Sequence, residues 1–123
     1  MTLDMKTQST GFKFCGQHLM LSFVGCKVDL DDLTAIKRDM TAAIQAVGAS
    51  ILCEAESRFS PHGVSVVFLL SESHASIHTY PEHDACFLDI FTCGQTLRIE
   101  EFGKTLQKLW QPEQFSIELK DRS

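Results

Sequence analysis

Residues 63–70 read GVSVVFLL, and residues 71–82, directly after them, read SESHASIHTYPE. A segment apolar at nearly every position suits a strand covered on both faces. It is too short to span a bilayer. In ASIHTY the pattern changes. Ser76, His78 and Tyr80 point one way and Ala75, Ile77 and Thr79 the other, as in a strand with one polar side. Pro81 ends that strand. The link between the two strands is short, so they must run antiparallel.

The rest of the chain reads around this pair. QHLMLSFV at 17–24 suits a first strand. In residues 28–49 Leu33, Ile36, Met40, Ile44 and Val47 keep steps of three and four, which predicts a helix, with Asp29 as its cap and Gly48 as its end. A strand over 49–56 follows, and then a loop, RFSPHG. ACFLDIFTC is a further strand. A second helix over 97–110 carries Ile99, Phe102, Leu106 and Leu109 on one stripe, Pro112 closes it, and FSIEL is the last strand. The order is β-α-β-β-β-β-α-β. It predicts an α+β fold: a two-layer α/β sandwich, mostly antiparallel, with two helices on one face. The uncovered face needs a partner, and a second copy of the chain is the simplest one.

With 123 residues the chain reads as one domain, 1–123. Its net charge of −5 and scattered cations exclude a nucleic-acid footprint. No secretory pattern opens it, and no segment suits a membrane. Five cysteines, an odd number without a CxxC pair, read as reduced thiols of a cytoplasmic protein, mostly small core residues.

The cluster in SESHASIHTYPE has several readings. It can be a polar strand facing water. It can be a metal site, with His74, His78, Glu72, Glu82 and His83 as candidates. However, residues four apart on a strand lie about 13 Å from each other, so no metal is assigned. Hydrolysis by an activated serine lacks its GxSxG elbow.

A further reading comes from resemblance. GVSVVFLLSESHASIHTYPE, followed by ACFLDIFTCG, resembles the prokaryotic S-adenosylmethionine decarboxylase proenzymes, most closely from Phe59 to Gly94. The family pattern is GVSG, an apolar run, ESHxxxHTxPE, and a strand ending in FTCG. The resemblance implies self-cleavage between Glu72 and Ser73, giving 1–72 and 73–123, with Ser73 becoming a covalent pyruvoyl group. It implies that Ser65 assists processing, that His78 accepts a proton in processing, and that Cys93 is the catalytic proton donor. It implies that Phe59 stacks on adenine and that Glu82 holds the ribose hydroxyls. Phe14 is a candidate for the ring's other face. The implied activity is decarboxylation of S-adenosylmethionine to the aminopropyl donor for spermidine synthesis. The implied assembly is a homodimer of cleaved protomers. The chemistry is coherent: loss of CO₂ leaves a carbanion, and a carbonyl joined to the substrate amine as a Schiff base drains its charge.

The sequence departs from the family at Ser22 and Val24, where many members carry an acid and an aromatic, and at Val66, where GVSG has glycine. Tyr80 replaces a tryptophan. The changed first strand bears on substrate choice, so ornithine or arginine decarboxylation, or a non-catalytic paralogue, are the alternatives.

Overall fold

The computed structural model describes residues 15–93 and 97–122. Its elements are β1 (Gly16–Val24), α1 (Leu33–Val47), β2 (Ile51–Arg58), β3 (Val64–Leu70), β4 (Ser73–Tyr80), β5 (Ala85–Cys93), α2 (Glu100–Trp110) and β6 (Gln114–Arg122). A short 3₁₀ turn, Pro81–His83, links β4 to β5. The order agrees with the expectation element by element.

The strands form one sheet in the order β2-β3-β4-β5-β1-β6. All of its neighbours pair antiparallel. Strands β2 to β5 form a meander, since each link is short enough to return the chain beside itself. Both helices lie on one face. Against them the sheet turns Leu19, Leu21 and Phe23 of β1, Val64, Val66, Phe68 and Leu70 of β3, Ala75 and Ile77 of β4, and Cys86, Leu88 and Ile90 of β5, all buried. Ile36, Met40, Ile44 and Val47 of α1 and Phe102, Leu106 and Trp110 of α2 complete the core.

Helix α1 starts one turn later than expected. Asp32, not Asp29, is its cap, accepting from Ala35 N at 3.1 Å. Asp29 instead accepts from Asp31 N at 2.9 Å, a local turn that leads into the helix. Gly48 ends it in the left-handed region, with φ 95°, as the sequence suggested. In α2 the stripe closes on Trp110, while Leu109 is exposed. The indole reaches across to α1, where Trp110 Nε1 donates to buried Asp39 Oδ2 at 2.7 Å.

Strand β3 is covered on one face only within the chain. Val67 and Leu69 face the side without helices and are 44% and 50% exposed. Val24, Tyr80 and Phe87 share that open face and are exposed too. Among the cysteines Cys26 and Cys86 are buried, but Cys53 is exposed, because β2 is an edge strand with few neighbours above it. Among the described residues no helix is long and apolar enough to cross a membrane.

The Asp39–Trp110 bond ties the two helices together inside the core. Trp110→Phe keeps much of the ring but leaves the Asp39 oxygen without its indole donor. It is expected to lower stability by about 1–3 kcal/mol in urea denaturation. A loss under about 0.5 kcal/mol would show that the bond is not needed.

Candidate active site

Strands β3 and β4 are joined by Ser71 and Glu72 alone. So tight a link requires a residue in the left-handed region, and Glu72 takes it, with φ 63°. Glycine is the usual occupant. For a glutamate this conformation costs about 1–2 kcal/mol. The strained residue is the one before the expected cleavage point. Ser73 follows at the first position of β4, only 8% exposed. Its Oγ donates to the Ser71 carbonyl at 3.1 Å.

Cys93 ends β5 at the same end of the sheet, two residues beyond the His74–Phe91 pair. The two expected groups do not share a face. Ser73 lies on the helix side with Ala75 and Ile77, whereas Cys93 lies on the open side with Asp89 and Phe91. Cys93 is partly accessible. Buried Cys86 offers no such thiol, since its hydrogen bond with Cys26, together with burial, pushes its pKa far up.

Ser65 and His78 do come together. They are directly opposed on β3 and β4, and Ser65 Oγ lies 2.7 Å from His78 Nδ1. The pair sits on the open face, however, and five residues along β4 from Ser73, roughly 16 Å. Phe59 and Glu82 lie farther still, past the other end of β4. Phe59 is in the loop after β2 and is 54% exposed. Its backbone N donates to the Gly63 carbonyl at 2.8 Å and closes that loop. Gly63 has φ 111°, and a Cβ there would stand 3.2 Å from Thr79 O, 3.9 Å from Pro81 Cδ and 4.0 Å from Phe59 Cβ. The loop therefore packs on the corner that carries Glu82. Glu82 is paired with His62.

The expected site residues thus form two groups. Ser73 and Cys93 are at one end of the sheet, and Ser65, His78, Phe59 and Glu82 at the other. Phe14 and Gly94 lie outside the described residues.

Between the two groups is a polar cluster not anticipated from the sequence. His18 of β1 and His74 of β4 flank Phe91 on β5, and both turn toward Asp89. His18 Nε2 is 2.8 Å and His74 Nε2 3.8 Å from Asp89 Oδ2. Ser76 donates to the other Asp89 oxygen. His74 stacks on Phe91, and His18 meets the same ring edge-on. His18, His74 and Asp89 are the one group among the described residues whose donor atoms could converge on a metal ion. His18 Nε2 and Ser76 Oγ already hydrogen-bond the two oxygens of the Asp89 carboxylate. Nothing in the sequence links His18 to Asp89, because only the sheet register makes them neighbours. The sequence likewise places His62 in a loop and gives no sign of its pairing with Glu82.

A family model for S-adenosylmethionine decarboxylase matches residues 17–123. An S-adenosylmethionine decarboxylase proenzyme of Methanococcus maripaludis is 39% identical over 106 residues, covering 85% of this chain and 87% of that one. One from Brevibacillus brevis is 45% identical over 83 residues, covering 67% and 62%. A crystal structure of the adenosylmethionine decarboxylase from Aquifex aeolicus superposes with a TM-score of 0.82 at 26% identity, covering 91% of this chain and 93% of that chain. A Trypanosoma brucei structure at 18% identity and TM-score 0.60 shares the fold.

If Glu72 is strained, glycine should relieve it. In an uncut Ser73→Ala chain, Glu72→Gly is expected to raise stability by about 0.5–1 kcal/mol in urea denaturation. No gain would mean that the turn carries no strain.

Proposed function

The chain belongs to the S-adenosylmethionine decarboxylase family, carboxy-lyases of polyamine biosynthesis, and we propose that it becomes active by cutting itself between Glu72 and Ser73. It decarboxylates S-adenosylmethionine. The observation that carries the cleavage proposal is the turn itself. A strained glutamate precedes a buried serine whose Oγ donates to the Ser71 carbonyl across the same two-residue turn.

In that step Ser73 Oγ adds to the Glu72 carbonyl carbon and the peptide nitrogen leaves, so the amide becomes an ester. Loss of the Ser73 Cα proton then expels the Glu72 carboxylate and leaves a dehydroalanine. Addition of water and loss of ammonia give a pyruvoyl group at the new terminus. Cutting frees residue 73 from the turn, which lets it rotate from the helix side toward the face that holds Cys93. Once formed, the pyruvoyl group would supply an electron-withdrawing carbonyl to the substrate's α-carbon. Cys93 would return a proton to that carbon after CO₂ has left. Phe59 would hold the adenine by stacking and Glu82 the ribose diol. His78, already joined to Ser65, would take the proton lost in processing.

Ser65, His78, Phe59 and Glu82 are too far from Ser73 to act in their own chain. We propose a homodimer that packs open face on open face about a two-fold axis. The exposed Val67, Leu69 and Phe87 support this, since a monomer rarely leaves such a patch in water. The axis places one copy's Ser73 end over the other copy's His78 end. Two sites result, each built from both chains. The product would serve as aminopropyl donor for spermidine synthesis, and a cytoplasmic location fits the reduced cysteines.

Intact mass of the purified protein should give two fragments, 1–72 and 73–123, the second blocked by a pyruvoyl group. A single uncut chain would refute the cleavage. Ser73→Ala should abolish both cutting and CO₂ release. Labelled CO₂ release should occur from S-adenosylmethionine and not from ornithine or arginine. The comparison matters because Ser22 lies in register with Phe87, next to His78.

The shared site predicts complementation. Cys93→Ala and Glu82→Ala chains should each be nearly inactive alone. Mixed and reassembled, they should regain roughly a quarter of wild-type activity, from the one intact site in each heterodimer. No recovery, with dimers confirmed by light scattering, would place the whole site in a single chain.

A further inference from the structure

We infer that His62 is a positioning residue for the nucleoside end of the site. It holds the Glu82 carboxylate in the orientation that accepts a ribose diol. The inference rests on the reading of Glu82 above and extends it to a residue outside the family motif.

Glu82 lies on an exposed 3₁₀ turn, and its side chain is 40% exposed, so packing alone fixes it weakly. Freezing so mobile a side chain when substrate binds would cost about 1–2 kcal/mol. A partner that already holds one oxygen removes much of that cost in advance. His62 is placed to do so, with Nε2 against Glu82 Oε2. Among the described residues no hydrogen bond or ion pair uses Oε1, which leaves it free to accept from a ligand hydroxyl. A carboxylate oxygen has two lone pairs, so Oε2 can serve His62 and a second hydroxyl together.

His62 is itself held. Its loop is closed by the bond from Phe59 N to Gly63 O. Gly63 N also donates to Asp31 Oδ1 at 2.8 Å, and Arg58 Nη1 donates to Asp31 O at 3.2 Å. Asp31 stands just before α1, so the helix layer anchors both ends of the loop. The same few residues then carry the adenine-stacking ring of Phe59 and the imidazole that orients Glu82. One rigid loop would thus set the spacing between base and ribose contacts.

The test uses the mature, cleaved enzyme with His62→Ala and His62→Gln. His62→Ala should cut itself fully and keep kcat within about twofold, while KM for S-adenosylmethionine rises about three- to tenfold. His62→Gln keeps an N–H donor and should recover most of the loss. Two competitive inhibitors separate orientation of Glu82 from a general disturbance of the loop: 5′-methylthioadenosine and its 2′,3′-dideoxy analogue. The His62→Ala penalty should appear with the first and vanish with the second. An equal penalty for both, or an unchanged KM, overturns the inference while leaving Glu82 as the ribose ligand. If the wild-type enzyme binds both inhibitors equally, the Glu82 assignment fails, and the role of His62 fails with it.

Discussion

The pairing of β4 between β3 and β5 places nearly every group of chemical interest. Because those ladders are antiparallel and in register, His78 stands opposite Ser65, and His74 and Ser76 stand beside Phe91 and Asp89. A slip of one residue would turn the whole set to the other face of the sheet. The buried row of Ala75 and Ile77 resists that slip, since it would carry two apolar side chains into water and a histidine into the core. Apolar packing on the helix side thus fixes the polar chemistry on the open side.

The small size of the protein has a consequence for the site. Two helices of 15 and 11 residues can cover one face of a six-stranded sheet but not both. The uncovered face carries both apolar side chains and the histidines His18, His74 and His78. A cover supplied by a second copy would bury that apolar surface and exclude water from the chemistry together. The separation of Ser73 and Cys93 from Ser65, His78, Phe59 and Glu82 would then become intelligible, because a two-fold axis lying between the packed sheets and running across the strands would bring opposite ends together. The cluster of His18, His74 and Asp89 lies between those ends and would be enclosed as well. Hydrogen bonds to Asp89 from His18 and from Ser76 satisfy a carboxylate that burial would otherwise penalise.

The turn at Ser71 and Glu72 belongs to the same design. A two-residue hairpin between strands anchored on one face in the core leaves the backbone little freedom. It can therefore hold a glutamate in the left-handed region at a cost that an isolated peptide would avoid. Because the strain sits at a bond proposed to break, it would be relieved by cutting. The strands on either side have their own ladders and remain in place.

Much of this was legible in the amino-acid order alone. Alternation in ASIHTY and the three- and four-residue steps of α1 are direct records of strand and helix periods, so element order, antiparallel pairing and the one-sided helix layer could be read from them. The ESH, HTxPE and FTC motifs pointed to the family because their spacing is specific. Cap and edge details were not legible. Asp29 and Asp32 are equally good caps in isolation, and the choice between Leu109 and Trp110 depended on Asp39 waiting in the other helix. Distances between motifs were not legible either. Residues close in sequence, such as Ser73 and His78, end up far apart because a strand is extended. Residues 71 apart, such as His18 and Asp89, become neighbours because a sheet ladder joins distant segments. The sequence alone determined which chemistry the chain carries, since motifs and periods are local. Only the tertiary structure decided which groups can meet, since that depends on sheet register and on which face each strand turns to the helices.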